Sequence, residues 1–228
     1  MRRLSLLLTI PLVALSVACF DDKEDDDDDG DDTGSSSVDD GFGSGSGGSG
    51  GSDDPYAKDY AGGYNVNTCG DNLPEPTSPS GDNNGSVTMW GPGDVLPNYT
   101  FTDQNGEQVD LYSFCGNHVM IAFGAMWCGP CQQLASEAQS LQNEYGDQGF
   151  QMIEVLIENT SSNPPSQSDL QSWESNFGMT SVPVLDDSDY QLWPYMEADW
   201  GIPTIVHIGP GMEVLSVDEY VDDPGRWL

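Results

Sequence analysis

An α/β fold with a central mixed β-sheet is the class this sequence predicts, and three observations predict it. Residues 118–125, HVMIAFGA, form an unbroken apolar run of strand length, as a strand buried on both faces requires. A helical period follows, with Leu134, Ala138, Leu141 and Tyr145 on one face. A second apolar strand, FQMIEVLIE at 150–158, precedes a third, IPTIVHI at 202–208, which turns through Gly-Pro-Gly into MEVLSV. Strand, helix, strand, helix and a closing antiparallel hairpin make one domain over residues 91–228. A core of that size does not need disulfides to exist.

Before that domain the chain reads as three segments. Residues 1–18 place Arg2 and Arg3 ahead of an apolar run, Leu4–Val17, that ends in small residues. This is the pattern of a secretory signal, too short and too abruptly followed by acid to span a membrane. Its ending, Ser-Val-Ala-Cys, resembles a bacterial lipobox, with Ser16 standing where Leu is usual. That resemblance implies cleavage before Cys19 and lipidation of its thiol, hence a membrane partner through an anchor. Ordinary signal cleavage, with Cys19 free or removed, is the alternative. Residues 19–60 carry DDKEDDDDDGDD and then GFGSGSGGSGGS, which repel themselves or have nothing to bury, and predict a disordered tether. Residues 61–90, rich in Gly, Asn, Pro and Ser, show no period and predict an irregular lead-in.

Charge narrows the partners. Of 39 acidic residues 15 fall between Asp21 and Asp59, and the 24 that follow residue 60 face one base, Arg226. Such a surface excludes nucleic acid and anionic lipid as electrostatic partners. It suits solubility, or a cationic partner.

Inside the domain each element has its own signal. NYTFTDQNGEQVDL is two alternating runs around a turn at 103–106, an N-terminal hairpin. Helix is predicted from Cys131 to Tyr145, stopped by Gly146, and again from Asp169 to Phe177 with Leu170, Trp173 and Phe177 inward. VPVLDD reads as a short extended piece, Tyr190–Met196 as a helical turn, and the tail as at most one turn of helix.

The chemistry sits in Trp127-Cys128-Gly129-Pro130-Cys131. Cysteines at i and i+3 on a first helical turn are close enough for a disulfide. The free N–H groups and dipole there favour thiolate at Cys128, the nucleophile of exchange. Cys131, one turn in, is expected to stay protonated until it resolves the mixed disulfide. Pro130 lacks only an N–H that would be unpaired anyway, and Gly129 leaves room for a partner chain. A structural zinc site wants four ligands, and the two histidines, His118 and His207, lie in predicted buried strands, so no metal is assigned. A permanent staple across two residues would constrain little. Redox exchange is the expected use, with no cofactor.

With these residues the sequence resembles the membrane-tethered TlpA/ResA-like, redoxin-type thiol–disulfide oxidoreductases of the thioredoxin fold, from about Gly91 to Val217. The resemblance implies a cis-proline facing the disulfide at Pro203, and a role for Ile202 in pairing with substrate backbone. It implies protein thiols and disulfides as substrates, an upstream redox partner, and a monomer at the periplasmic face of a bacterial membrane. The chain departs from the family at Ala122, where thioredoxins carry a buried acid six residues ahead of the first cysteine. Glu154 and Glu158 on the next strand are substitutes, or else edge and surface acids. Trp127 and Trp200 are expected as an apolar rim of the disulfide or as plain core. With Cys19 assigned to lipid, Cys69 and Cys115 are expected to pair and pin the lead-in, the rival being exchange with the active pair. A copper chaperone of the SCO type, on the same fold, is the alternative function, although such proteins space the cysteines one residue wider. A peroxidase-like redoxin ranks last, because the Pro and Thr such enzymes place ahead of the reactive cysteine are missing.

Overall fold

The computed structural model describes residues 54–70, 72–82, 88–196, 201–218, 220 and 223–228. The signal segment, Cys19, the tether through residue 53 and Trp200 lie outside the described residues. Among those described, no helix is long and apolar enough to cross a membrane.

Nine strands and two α-helices are described. Short β1 (Gly81–Asp82) and β2 (Thr88–Met89) pair antiparallel in the lead-in. The hairpin is β3 (Thr100–Asp103) and β4 (Gln108–Asp110), closed by Asp103 Oδ1, which accepts from the N–H groups of Asn105 and Glu107 at 2.9 and 2.8 Å. Gly106 takes φ 80° there, a value only glycine adopts cheaply. Then come β5 (His118–Ala125), α1 (Gly129–Tyr145), β6 (Phe150–Glu158), α2 (Gln167–Phe177), β7 (Val184–Asp186), β8 (Thr204–Ile208) and β9 (Val214–Val217). Sheet order is β4-β3-β7-β6-β5-β8-β9. The central β5, β6 and β7 are parallel and both flanks antiparallel, so the sheet is mixed, as expected.

Helix ends follow local chemistry. α2 begins with a capping box: Asp169 N–H donates to Ser166 Oγ, and Ser166 N–H to Asp169 Oδ2 at 2.8 Å. Such a cap is worth about 1 kcal/mol. It ends at Gly178 with φ 64°. α1 starts two residues earlier than the sequence suggests, at Gly129, with Cys128 as its N-cap. Gly146 does follow its last residue, yet in right-handed geometry, and the left-handed turn falls at Gly149.

Helices flank the sheet on one face: α1 and α2 both cover the face of Met120, Ala122, Met152 and Leu156. The opposite face, with Ile121, Phe123, Ile153 and Val155, is covered by the lead-in and loops through Tyr60, Tyr64, Trp90 and Leu96. Residues just before 61 also pack against the domain. Tyr60 is buried, Tyr56 stacks edge-on against Tyr112, and Lys58 pairs with Asp110 at 2.9 Å. The lead-in lacks a period because hydrogen bonds hold it, including Tyr64 to Asp103 Oδ2 and Asn65 Nδ2 to the Gly146 carbonyl at 2.7 Å.

Candidate active site

β5 carries the motif to the sheet's C-terminal edge and α1 takes it up. Cys128 and Cys131 form a disulfide with an S–S distance of 2.12 Å and α-carbons 5.2 Å apart. Cys128 Sγ accepts from Cys131 N–H at 3.2 Å, so the sulfur occupies the cap that an Asp or Ser would take elsewhere. An anion at that position meets the positive end of a 17-residue helix. Both cysteines are buried, Cys128 at 4% exposure and Cys131 at 3%.

The neighbours explain that depth. Cys131 rests on Gly124, where a β-carbon would stand 3.2 Å from its Sγ. A glycine inside an apolar strand is the sequence signal of such close approach. On the other side, Cys128 Sγ lies 3.7 Å from the Ile202 carbonyl oxygen, and the Ile202–Pro203 peptide is cis. Gly129 and Pro130 are exposed on the rim, and a β-carbon at Gly129 would meet nothing within 4 Å. Beside them a cavity of about 340 Å³ is lined by Pro130, Leu134, Glu137, Pro203, Ile205 and Tyr220 among others.

Trp127 is not core. It is 50% exposed, and its Nε1 donates to Glu158 Oε2 at 2.7 Å. Glu158 thereby acts on the indole rim rather than standing idle at the surface. Glu154 is neither edge nor surface: it is 2% exposed, under α1 and α2, and burial pushes its carboxyl up to about 8. Trp173 Nε1 donates to Oε2 at 3.4 Å, a weak opposing pull, while Oε1 has no partner.

A network behind Pro203 was missed by sequence reasoning. The Asp187 carboxylate accepts from the N–H groups of Gln191, Leu192 and Trp193. Trp193 Nε1 then donates to Thr204 Oγ1 at 3.0 Å, and Thr204 donates to the Gly201 carbonyl at 2.6 Å. Farther away, Cys69 and Cys115 form a second disulfide, α-carbons 5.1 Å apart, at the start of β5 and not beside the active pair. Among the described residues no three His, Cys, Asp or Glu side chains gather as a metal site.

A disulfide capping the helix that follows a central parallel strand, opposite a cis-proline loop, is the arrangement of a thioredoxin-like fold. Residues 92–201 match the family model described as AhpC/TSA family. Thioredoxin-like protein YneN of Bacillus subtilis is 26% identical over 126 residues, 51% of this chain and 71% of YneN. Thiol-disulfide oxidoreductase ResA of Bacillus thuringiensis is 29% identical over 68 residues, 30% of this chain and 39% of ResA. Human nucleoredoxin is 27% identical over 146 residues, 59% of this chain and 31% of nucleoredoxin. The chain therefore spans under half of ResA and nucleoredoxin. Among solved structures, the thioredoxin domain of a thiol-disulfide oxidoreductase from Bacteroides vulgatus superposes with a TM-score of 0.47 at 22% identity, over 57% of this chain and 90% of that one.

Proposed function

We propose that the protein is an exported, lipid-anchored thiol–disulfide oxidoreductase acting on protein disulfides through Cys128 and Cys131. One observation carries the reading: the pair is joined at the N-terminus of α1 with the Ile202 carbonyl beside Cys128. In the reducing direction, Cys128 thiolate attacks a substrate disulfide, forming a mixed disulfide and releasing one substrate thiolate. Cys131 then displaces the second substrate sulfur, losing its proton and closing Cys128–Cys131. An upstream thiol partner reopens the pair. Ile202 and Pro203 would hold the substrate strand, while Trp127, Gly129 and Pro130 border its approach. Cys69–Cys115 serves structure, and Cys19 carries the lipid at the periplasmic face. The copper-chaperone reading has no observation in its favour.

Insulin reduction tests the proposal. Cys128→Ser is expected to abolish turnover, and Cys131→Ser to trap a mixed disulfide visible by mass. Unchanged turnover in Cys128→Ser would remove it.

A further inference from the structure

When a thiol opens the Cys128–Cys131 disulfide at Cys128, Cys131 leaves as a thiolate. That thiolate forms on a residue only 3% exposed, with its sulfur seated against Gly124. A bare charge there is costly, so a proton must arrive. Gly124 and Ala122 share a face of β5, about 7 Å apart along the strand. Directly across from Ala122, one strand over on β6, stands Glu154. Paired residues of neighbouring strands lie about 5 Å apart with side chains on the same side. Ala122 contributes only a methyl group to that face, between Glu154 and the Gly124 position on which Cys131 rests.

The carboxyl itself is half-used. Oε2 takes the Trp173 indole N–H, but Oε1 is buried with no partner. Its same-face neighbours, Met152 and Leu156, are apolar. A buried polar atom left unpaired costs about 1–3 kcal/mol.

We propose that Glu154 is the proton donor to Cys131 when the disulfide opens, and the acceptor when it closes. The proposal rests on the redox reading of the pair. The attacking sulfur bonds to Cys128 Sγ, the Sγ–Sγ bond breaks, and its electron pair stays on Cys131 Sγ. The Glu154 proton moves to that sulfur, through water, leaving a carboxylate. One negative charge enters with the attacking thiolate and one remains on Glu154, so atoms and charge balance. Burial keeps the carboxyl neutral at pH 7, poised to donate. A thiol in apolar surroundings holds its proton at least as tightly, so the transfer runs downhill.

Other charged groups on the surrounding elements point elsewhere. Glu137 and Glu144 on α1 are on its outer side, and Glu137 accepts from Tyr220. On α2, Asp169 caps the helix and Glu174 accepts from Gln104. Asp186 on β7 accepts from Ser188 N–H. His118 begins β5, and His207 on β8 pairs opposite Met120 beside Trp227, below Ala122.

The test is reduction of the disulfide by dithiothreitol in the full chain, followed from pH 6 to 9 and expressed per dithiothreitol thiolate. In the native protein the corrected rate is expected to fall as pH rises through about 8. Glu154→Gln keeps the shape and is expected to lower the rate at pH 7 at least about ten-fold and to erase the inflection. A variant that follows the native rate and profile overturns the proposal. Should Glu154→Gln fail to fold, carbon-13 NMR of glutamate-labelled native protein decides. The buried carboxyl must titrate at different pH in the oxidised and reduced forms, and coincident curves refute the assignment. Failure of insulin reduction would count against the protein substrate alone, because the dithiothreitol assay does not need one.

Discussion

Glu154 and Asp187 are carboxyls that folding takes out of water, and their energetics have a definite sign. Burial raises Glu154 to about 8 and Asp187 to about 6, the latter partly held down by backbone N–H groups. In the unfolded chain both ionise near the ordinary carboxylate value of about 4. Between those limits the folded state binds more protons than the unfolded one, so stability falls as pH rises and levels off above the folded values. The domain is thus expected to melt at higher temperature at pH 5 than at pH 8. Glu154→Gln should flatten the pH 6–8 portion, where the carboxyl costs on the order of 3 kcal/mol. A melting curve series in which variant and native protein respond alike to pH would contradict this. The sequence could not show Glu154 as buried, because an acid inside an apolar run reads equally as a strand edge. Ala122, by contrast, is legible in the sequence as a departure, and the register sets it directly opposite Glu154.

At the scale of elements, β5, β6 and the two helices were legible because their burial is periodic or continuous, and β5 and β6 span the residues expected. The turn between β7 and β8 was not, because its order comes from one carboxylate gathering three N–H groups rather than from any period. That turn matters to the site. Trp193 reaches from it to Thr204, the residue after Pro203, and steadies the loop beside Cys128. Trp193→Phe removes one hydrogen bond, worth about 1 kcal/mol, while keeping most of the ring. The expected outcome is a KM for insulin raised about five-fold with dithiothreitol reactivity unchanged. An equal drop in both reactions would mean that Trp193 serves the core and not the loop.

At the scale of the molecule, the lead-in is a strap. It crosses the β3–β4 hairpin through Lys58, Ala61 and Tyr64, turns under β6 through Asn65, and is fastened by Cys69–Cys115. Its aromatic residues close the sheet face that carries no helix, which is why a segment without periodicity is nevertheless folded. The disulfide closes a loop of 46 residues, for which chain entropy gives about 4 kcal/mol. Cys69→Ala with Cys115→Ala is expected to lose about 2–4 kcal/mol in urea unfolding, with dithiothreitol reduction of Cys128–Cys131 unaffected. No change in the urea midpoint would show that side-chain contacts alone hold the strap. The strap and the reactive pair also occupy opposite poles. Tyr56 and Cys69 lie where β5 begins, Cys128 where it ends, and eight residues of strand put about 26 Å between those ends. The domain is therefore polarised like a plug: the described chain begins near the blind pole, and the reactive pair faces the other way.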